Sequence, residues 1–185
     1  MAPLDTPPLP PPPPQPTGEE REVDLADVLI DDPTDHHEMR ALVAGSAVGQ
    51  RMVQIALSQR GVAESGGEDG GVPFERYAKP FGYRSPVPWC ACFVSWCYQQ
   101  TTGHKPPWTY PGVTSSIHSW ARDHGTIVSN PSQGDIFGIG DQHTGLVVAR
   151  KRDGVFVTIE GNWGDRVLTQ ERPISSAWYA TPTFG

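Results

Sequence analysis

The stretch of residues 88–97, PWCACFVSWC, constrains the fold of this chain more than any other part of its sequence. It holds all three cysteines of the chain. Four of its apolar residues recur at i, i+3, i+4 and i+7, the spacing of one face of a helix: Cys90, Phe93, Val94 and Cys97. Pro88 sits where a first helical turn would begin, which is a place that tolerates proline. The pattern predicts a core helix that carries a cysteine in its first turn and ends at 101–103.

A thiol in the first turn of a helix is prepared to act as a nucleophile, because unpaired backbone N–H groups and the helix dipole favour the thiolate there. On such a helix Cys90 and Cys97 stand about 10 Å apart along the axis, beyond the ~7 Å limit for a disulfide. Cys92 points about 200° away from Cys90. Three thiols that do not converge predict neither a disulfide nor a zinc site, so we expect reduced cysteines.

The chain is expected to divide into a tail and one domain. Residues 1–33 are rich in proline and acidic residues, and we expect them to be largely disordered. Residues 34–185 then form the domain, with its core at about 46–181. The proline tract is interpreted as a spacer or tether. The alternative is a ligand for a proline-recognition groove or an export and docking signal, which implies a docking partner.

Charge and hydropathy exclude several classes of function. The net charge of −7 argues against a nucleic-acid-binding protein, which needs a basic face. No apolar run approaches the ~18 residues of a membrane span. The N-terminus lacks the basic and apolar regions of a secretory signal. We therefore expect synthesis in the cytoplasm. If the target lies outside the cytoplasm, we expect the protein to be released by lysis, a holin-type pore or an injection route.

Helical patterns precede strand patterns along the chain. Ser46 is the predicted cap of one helix and Gly61 its C′ residue. Further helical segments are predicted at 34–44, 72–77 and 116–124. The period then changes to two, which predicts strands at 134–139, 143–149, 155–160, 167–171 and 178–180. Helices first and an antiparallel sheet second predict an α+β fold.

Six histidines are candidate bases for Cys90. Five lie in polar or surface-like segments, where a solvated or capping role is expected: His36, His37, His104, His118 and His124. His143 opens an apolar strand, and a rigid strand end is a suitable mount for a base, although a structural role remains an equal alternative. On the next strand, Glu160 is placed to fix its tautomer. Asn162 is expected on the same side, to orient the imidazole or donate to an oxyanion.

These residues resemble the CHAP domains, which are cysteine- and histidine-dependent amidohydrolases and peptidases. Residues 89–96, WCACFVSW, look like the family's Trp-Cys-Ala-x-Phe-Val-x-Trp signature. Other family elements are matched in order by ALSQRGVAE at 56–64, GDI at 134–136, HTGLV at 143–147 and IEGN at 159–162. The resemblance covers about residues 46–181. It implies a papain-like fold in which N-terminal helices pack on an antiparallel sheet.

The resemblance also implies a reaction. Cys90 corresponds to the nucleophile, His143 to the base, and Glu160 and Asn162 to supporting polar residues. The implied function is cysteine-dependent cleavage of an amide bond in bacterial peptidoglycan, by an N-acetylmuramoyl-L-alanine amidase or an endopeptidase. Cys92 and Cys97 have no counterpart in this scheme, and we expect them in the core.

The chain departs from the family in two places. Where members often carry an asparagine in the first loop, this chain has GGEDGG at 66–71, which places Asp69 there. Where some members bind calcium before the cysteine, residues 81–87 contain no carboxylate, so we predict no metal and no cofactor. The groove is expected to use three aromatic residues, with core or hairpin packing as the alternative: Trp108, Tyr110 and Trp163.

Two other classes of function remain open on the sequence alone. One is a structural or interaction module of a phage virion or secretion apparatus with an inactive CHAP-like body. The other is a cysteine amidase or acyltransferase that acts on a substrate outside the cell wall. The intact Cys90, His143 and Glu160 argue against the first, and the sequence does not decide the second.

Overall fold

The structure is a computed structural model that describes Leu9, residues 46–151 and residues 154–184. The rest of the predicted tail lies outside the described residues, as does the helix predicted at 34–44, a range that includes His36 and His37. Within the described part of the chain, none of the helices has the length and hydropathy needed to cross a membrane.

The first helix, α1, spans Ala47–Leu57. It begins as predicted, because the Ser46 side chain accepts a hydrogen bond from the Gly49 N–H at 3.0 Å. It ends earlier than predicted, so the assignment of Gly61 to its C′ position is wrong. Gly61 instead has φ +84° and donates its N–H to the Val167 carbonyl at 2.8 Å, which ties the end of the turn to the sheet.

The second helix, α2, spans Cys90–Thr102 and ends at Gly103, which has φ +75°. Cys90 lies in its first turn, as predicted, and is its first residue, because Pro88, where the helix was predicted to begin, lies before it. Trp89 is the cap residue and stands outside helical geometry at φ −113°. There its ring stacks on Tyr77 with centroids 5.5 Å apart. The third helix, α3, spans Thr114–Asp123. Short helical turns occupy Phe74–Ala78, Lys79–Phe81 and Ile174–Ser176.

Six antiparallel strands form one sheet in the order β1-β6-β2-β3-β4-β5. Their bounds are Ile127–Val128 (β1), Ile136–Ile139 (β2), His143–Arg150 (β3), Val155–Trp163 (β4), Arg166–Pro173 (β5) and Trp178–Ala180 (β6). Strand β1 was not predicted, because two residues are too short to show alternation. The turn between β4 and β5 has positive φ at Gly164 and Asp165, as a tight hairpin requires.

Helix α2 is the central element of this α+β, papain-like fold. It packs against α1 and against strands β3 and β4. The predicted stripe is buried, and Cys92 is buried with it. Aromatic rings close the space around its first turns, where Phe93 meets Tyr77 edge-on at 5.2 Å. This packing holds the start of α2 against the two strands that carry His143 and Glu160.

Candidate active site

The thiol of Cys90 lies where three elements meet. Its Sγ is 4.0 Å from Oγ1 of Thr114, the first residue of α3, and 3.9 Å from the carbonyl oxygen of Gln142, in the turn before β3. The residue is 1% exposed. All three cysteines are free, which confirms the prediction of reduced thiols. Complete burial raises the pKa values of Cys92 and Cys97 well above their usual range, so both stay neutral in the core.

His143 is the first residue of β3 and is completely buried. Its Nε2 lies 2.6 Å from Oε2 of Glu160, and its Nδ1 has no hydrogen-bond partner in the described part of the chain. Nδ1 is therefore the ring nitrogen available to Cys90. Cys90 raises the pKa of His143, although the two side chains form no hydrogen bond of regular geometry. Burial lowers the pKa of His143, but Cys90 and Glu160 outweigh it and raise the value to about 9. The imidazolium form is favoured at neutral pH.

Glu160 lies inside β4 and is completely buried. Four side chains bind its carboxylate: His143, Thr158, Gln170 and Arg172. Arg172 is the strongest of these partners, because its guanidinium donates through Nε to one oxygen and through Nη2 to the other, the latter at 2.7 Å. Burial raises the pKa of Glu160, but the hydrogen bonds from Arg172 and His143 lower it to about 2. The carboxylate is therefore ionised.

Sequence analysis missed the residues that hold Glu160. Gln170 and Arg172 lie on β5, whose register sets Gln170 opposite Thr158 on β4. The ring of Trp163 covers the Arg172 guanidinium, which lies 4.3 Å from the ring centroid. The available signal was the pair of polar residues at two-residue spacing in a strand with buried neighbours. That signal identifies a shared face but does not say which strand the face meets.

Asn162 does not point at the imidazole. Its Nδ2 donates to Oδ1 of Asp69 at 2.9 Å. The expectation that Asn162 follows Glu160 on the same side relied on strict alternation. Alternation breaks here, because the β4–β5 register shifts between Glu160 and Trp163, and Asn162 has φ +58°. The bulge turns the amide towards the 66–71 loop, whose Asp69 is thereby brought into the site.

Two of the three predicted groove aromatics are packed inside the protein. Trp108 is 2% exposed and donates its indole N–H to Oγ of Ser95 at 2.8 Å. Trp163 covers the imidazole of His143, with ring centroids 4.8 Å apart. Both residues therefore shape the site from within. Tyr110 is 41% exposed and keeps a surface that a substrate can reach.

Gly161 allows β4 to approach the first turn of α2. A Cβ atom at this position would lie 2.7 Å from Cβ of Phe93 and 2.7 Å from the ring of Trp89. Only glycine fits such a close contact between strand and helix. Its neighbour Glu160 is consequently held close to the helix that carries Cys90. Each residue of Glu160-Gly161-Asn162 therefore has its own structural reason: Glu160 forms the ion pair, Gly161 allows the close contact with α2, and Asn162 lies in the bulge.

The described residues contain no group of three or more His, Cys, Asp or Glu side chains that could hold a metal ion. The side chains that meet at the site offer a thiol, a charged imidazole and an ionised carboxylate. These groups suit acyl transfer, in which a thiolate attacks a carbonyl and the imidazolium protonates the leaving group.

Comparison with known proteins agrees with this geometry. The CHAP domain matches residues 82–162, a range that contains Cys90, His143, Glu160 and Asn162. No curated protein matches the chain. The match and the antiparallel α+β architecture support the same assignment. Residues 82–162 therefore match the CHAP domain family, whose members are cysteine- and histidine-dependent amidohydrolases and peptidases.

Proposed function

We propose that this protein is a peptidoglycan hydrolase that cleaves an amide bond of the bacterial cell wall through a thioester on Cys90. The observation that carries the proposal is the placement of a helix-start thiol beside an imidazole whose other nitrogen is bound to a buried carboxylate. The cell-wall substrate rests on the family that the residues resemble.

The reaction begins with the Cys90 sulfur as a thiolate beside the His143 imidazolium. The sulfur attacks the amide carbonyl, and the developing oxyanion accepts hydrogen bonds from backbone N–H groups that a helix start leaves without partners. The backbone N–H of Cys90 is one such donor. As the C–N bond breaks, His143 gives its proton to the leaving amine. Water then attacks the thioester and loses a proton to His143, and the C–S bond breaks to release the carboxylic acid and restore the Cys90 thiolate beside the His143 imidazolium.

Glu160 supports both proton transfers. The Nε2 proton of His143 is directed at its carboxylate, which fixes the ring so that Nδ1 carries the proton that moves. Glu160 stays ionised because Arg172 and Gln170 remain bound to it throughout. The negative charge stabilises the imidazolium that is present before attack and forms again when water gives up its proton, and the four fixed partners prevent the carboxylate from turning away.

The test compares the wild type with Cys90→Ala on purified peptidoglycan. We expect the wild type to release free amino groups and to lower the turbidity of the suspension, and Cys90→Ala to release none above background. Cys92→Ala is the matched control, because it removes a thiol from the same helix without touching His143; it should keep at least about half of the activity, given a stability cost of about 1 kcal/mol for a small core truncation. Undiminished release by Cys90→Ala would contradict the proposal.

Product masses then identify the bond. An amidase separates the glycan from intact stem peptides, whereas an endopeptidase leaves shortened peptides on the glycan. Fragments made by the wild type and absent with Cys90→Ala belong to this site. His143→Ala should abolish the same fragments, because the thiol loses its base.

A further inference from the structure

Asp69 connects the two halves of the site through hydrogen bonds that the catalytic scheme does not use. It lies in the 66–71 loop with φ +57°, a conformation that asparagine and aspartate tolerate better than most residues. Its Oδ1 accepts the amide of Asn162 at 2.9 Å across 93 residues of sequence. Asn162 lies two residues after Glu160, so this bond reaches the strand that holds the base.

The same loop reaches the nucleophile. The backbone N–H of Asp69 donates to Oε2 of Glu64 at 2.7 Å, and Oε1 of Glu64 accepts the indole N–H of Trp89 at 2.8 Å. Trp89 immediately precedes Cys90. A continuous path of hydrogen bonds and covalent neighbours therefore runs from Cys90 through Glu64 and Asp69 to the end of β4.

The path has a physical task, because Asn162 needs support. Asn162 holds a left-handed backbone conformation at φ +58°, and the bulge interrupts the ladder that would otherwise hold this part of β4. The 66–71 loop can supply that support because it is closed on itself. The Gly70 N–H donates to the Gly67 carbonyl at 3.1 Å, and a Cβ atom on Gly71 would lie 3.0 Å from the backbone N and O of Ser65, so the two ends of the loop are in close contact.

We propose that Asp69 is a positioning residue for acyl transfer, whose carboxylate holds Asn162 and, with Glu64, keeps the end of β4 aligned with the start of α2. It touches neither the sulfur nor the imidazole and acts through Asn162 and Trp89. The proposal rests on the acyl-transfer function proposed above.

The charge of Asp69 makes the proposed support of Asn162 depend on pH. The charged groups that face it are Glu64 and Glu68 on its own segment and Asp165 in the β4–β5 turn. Burial raises the pKa of Asp69 to about 6; these carboxylates add to the rise, and the hydrogen bond from Asn162 opposes it. A carboxylate accepts an amide N–H more strongly than a carboxylic acid does. The support therefore weakens as pH falls below about 6.

Three single variants separate the acceptor from the charge. Asp69→Asn keeps an oxygen that can accept from Asn162 and removes the titration. Asp69→Ala removes both. Glu68→Ala is the matched control, because it removes a neighbouring exposed carboxylate and leaves the hydrogen bond between Asn162 and Asp69 in place. Circular dichroism establishes that each variant is folded before its kinetics are compared.

On purified peptidoglycan at pH 7.5, we expect Asp69→Ala to lower kcat about tenfold with little change in KM, as the loss of about 1.4 kcal/mol of alignment implies. Asp69→Asn should stay within about threefold of the wild type and lack the decline below pH 6, since a neutral acceptor still holds the amide. Glu68→Ala should match the wild type. Asp69→Ala with wild-type kcat, or Asp69→Asn as impaired as Asp69→Ala, would overturn the proposal.

A second readout does not depend on the substrate. The rate of Cys90 alkylation by iodoacetamide should fall about fivefold in Asp69→Ala, because the imidazolium is no longer held beside the sulfur. If the wild type proves inactive on peptidoglycan, the proposed substrate fails, and this rate still decides whether Asp69 positions the site. The double variant Asp69→Ala/Asn162→Ala should react no more slowly than Asp69→Ala; additive losses would show that Asp69 does not act through Asn162.

Discussion

Arg172 is the residue whose replacement tests the description of the site most severely. Its guanidinium is 3% exposed and donates two hydrogen bonds to Glu160, which is 0% exposed. Arg172→Met keeps most of the aliphatic stem and removes the charge, so Glu160 loses its bidentate partner and stays buried. Two charge-assisted hydrogen bonds are worth about 1.5–3 kcal/mol each, and breaking a buried ion pair from one side costs about 3–5 kcal/mol. We expect the free energy of unfolding to fall by about 3–5 kcal/mol.

The pH dependence of this loss has a defined sign. The folded-state pKa of Glu160 is about 2, below its ordinary value of 4.5, so its ionisation contributes stability above pH 4.5 that is lost as pH falls through about 2. Without Arg172 the pKa rises and this contribution shrinks. The difference between wild type and Arg172→Met should therefore be largest above about pH 5 and should narrow towards pH 2.

The assay is urea unfolding followed by tryptophan fluorescence at pH 7 and at pH 4. Arg84→Met is the matched control, because Arg84 is exposed, and its effect should stay within about 0.5 kcal/mol. The double variant Glu160→Gln/Arg172→Met should be less destabilised than Arg172→Met, since no buried charge is left without a partner. An Arg172→Met protein within about 0.5 kcal/mol of wild type at pH 7 would refute the role of Arg172 in holding the Glu160 carboxylate.

Four further outcomes follow from the same structure. Hydrolysis should decline as pH rises through about 9, because His143 then loses the proton that the leaving amine needs; a rate that stays level beyond this pH contradicts the ion-pair description. Gly161→Ala should lower thermal stability by about 1–3 kcal/mol and reduce activity, because the added methyl group meets the first turn of α2 at 2.7 Å; unchanged melting and activity would refute the close contact. Asp69→Asn should be more stable than wild type, with the full gain above about pH 6 and none below about pH 3.8, because the raised pKa of Asp69 makes its ionisation cost stability and this cost grows as pH rises through that range. A difference in the free energy of unfolding that stays constant from about pH 3.5 to about pH 8 would contradict this. Tyr110→Ala should raise KM with little effect on stability, because Tyr110 is exposed. Trp108→Phe should lower the free energy of unfolding by about 1 kcal/mol and leave KM unchanged, because it removes a buried hydrogen bond to Ser95. The reverse pattern would show that Trp108 contacts substrate and Tyr110 supports the fold.

Local patterns predicted the elements that carry the reacting groups. Helix α2 forms where the buried stripe predicts it, and Cys90 is its first residue. His143 opens a strand, and Glu160 lies on the strand that pairs with it. These features depend on short-range periodicity and on the order of strands joined by tight turns, and both can be read from residues that are close together in the sequence.

The features that sequence reasoning missed all depend on contacts between distant segments. Arg172 reaches Glu160 only because β5 pairs with β4 in one particular register. Asn162 turns to Asp69 because a bulge breaks the alternation that the prediction assumed. Trp108 is buried because its loop folds back so that the indole meets Ser95 on α2. Composition and periodicity carry no information about such long-range partners.

In the proposed reaction, the acyl group of a cell-wall amide passes through Cys90 to water. Digestion of purified peptidoglycan in water enriched in oxygen-18, followed by mass spectrometry, tests this transfer most directly. The wild type should produce new free amines, each matched by a new carboxylate that carries a heavy oxygen, and Cys90→Ala should produce neither. Labelled carboxylates formed at wild-type rates by Cys90→Ala would contradict acyl transfer through this thiol.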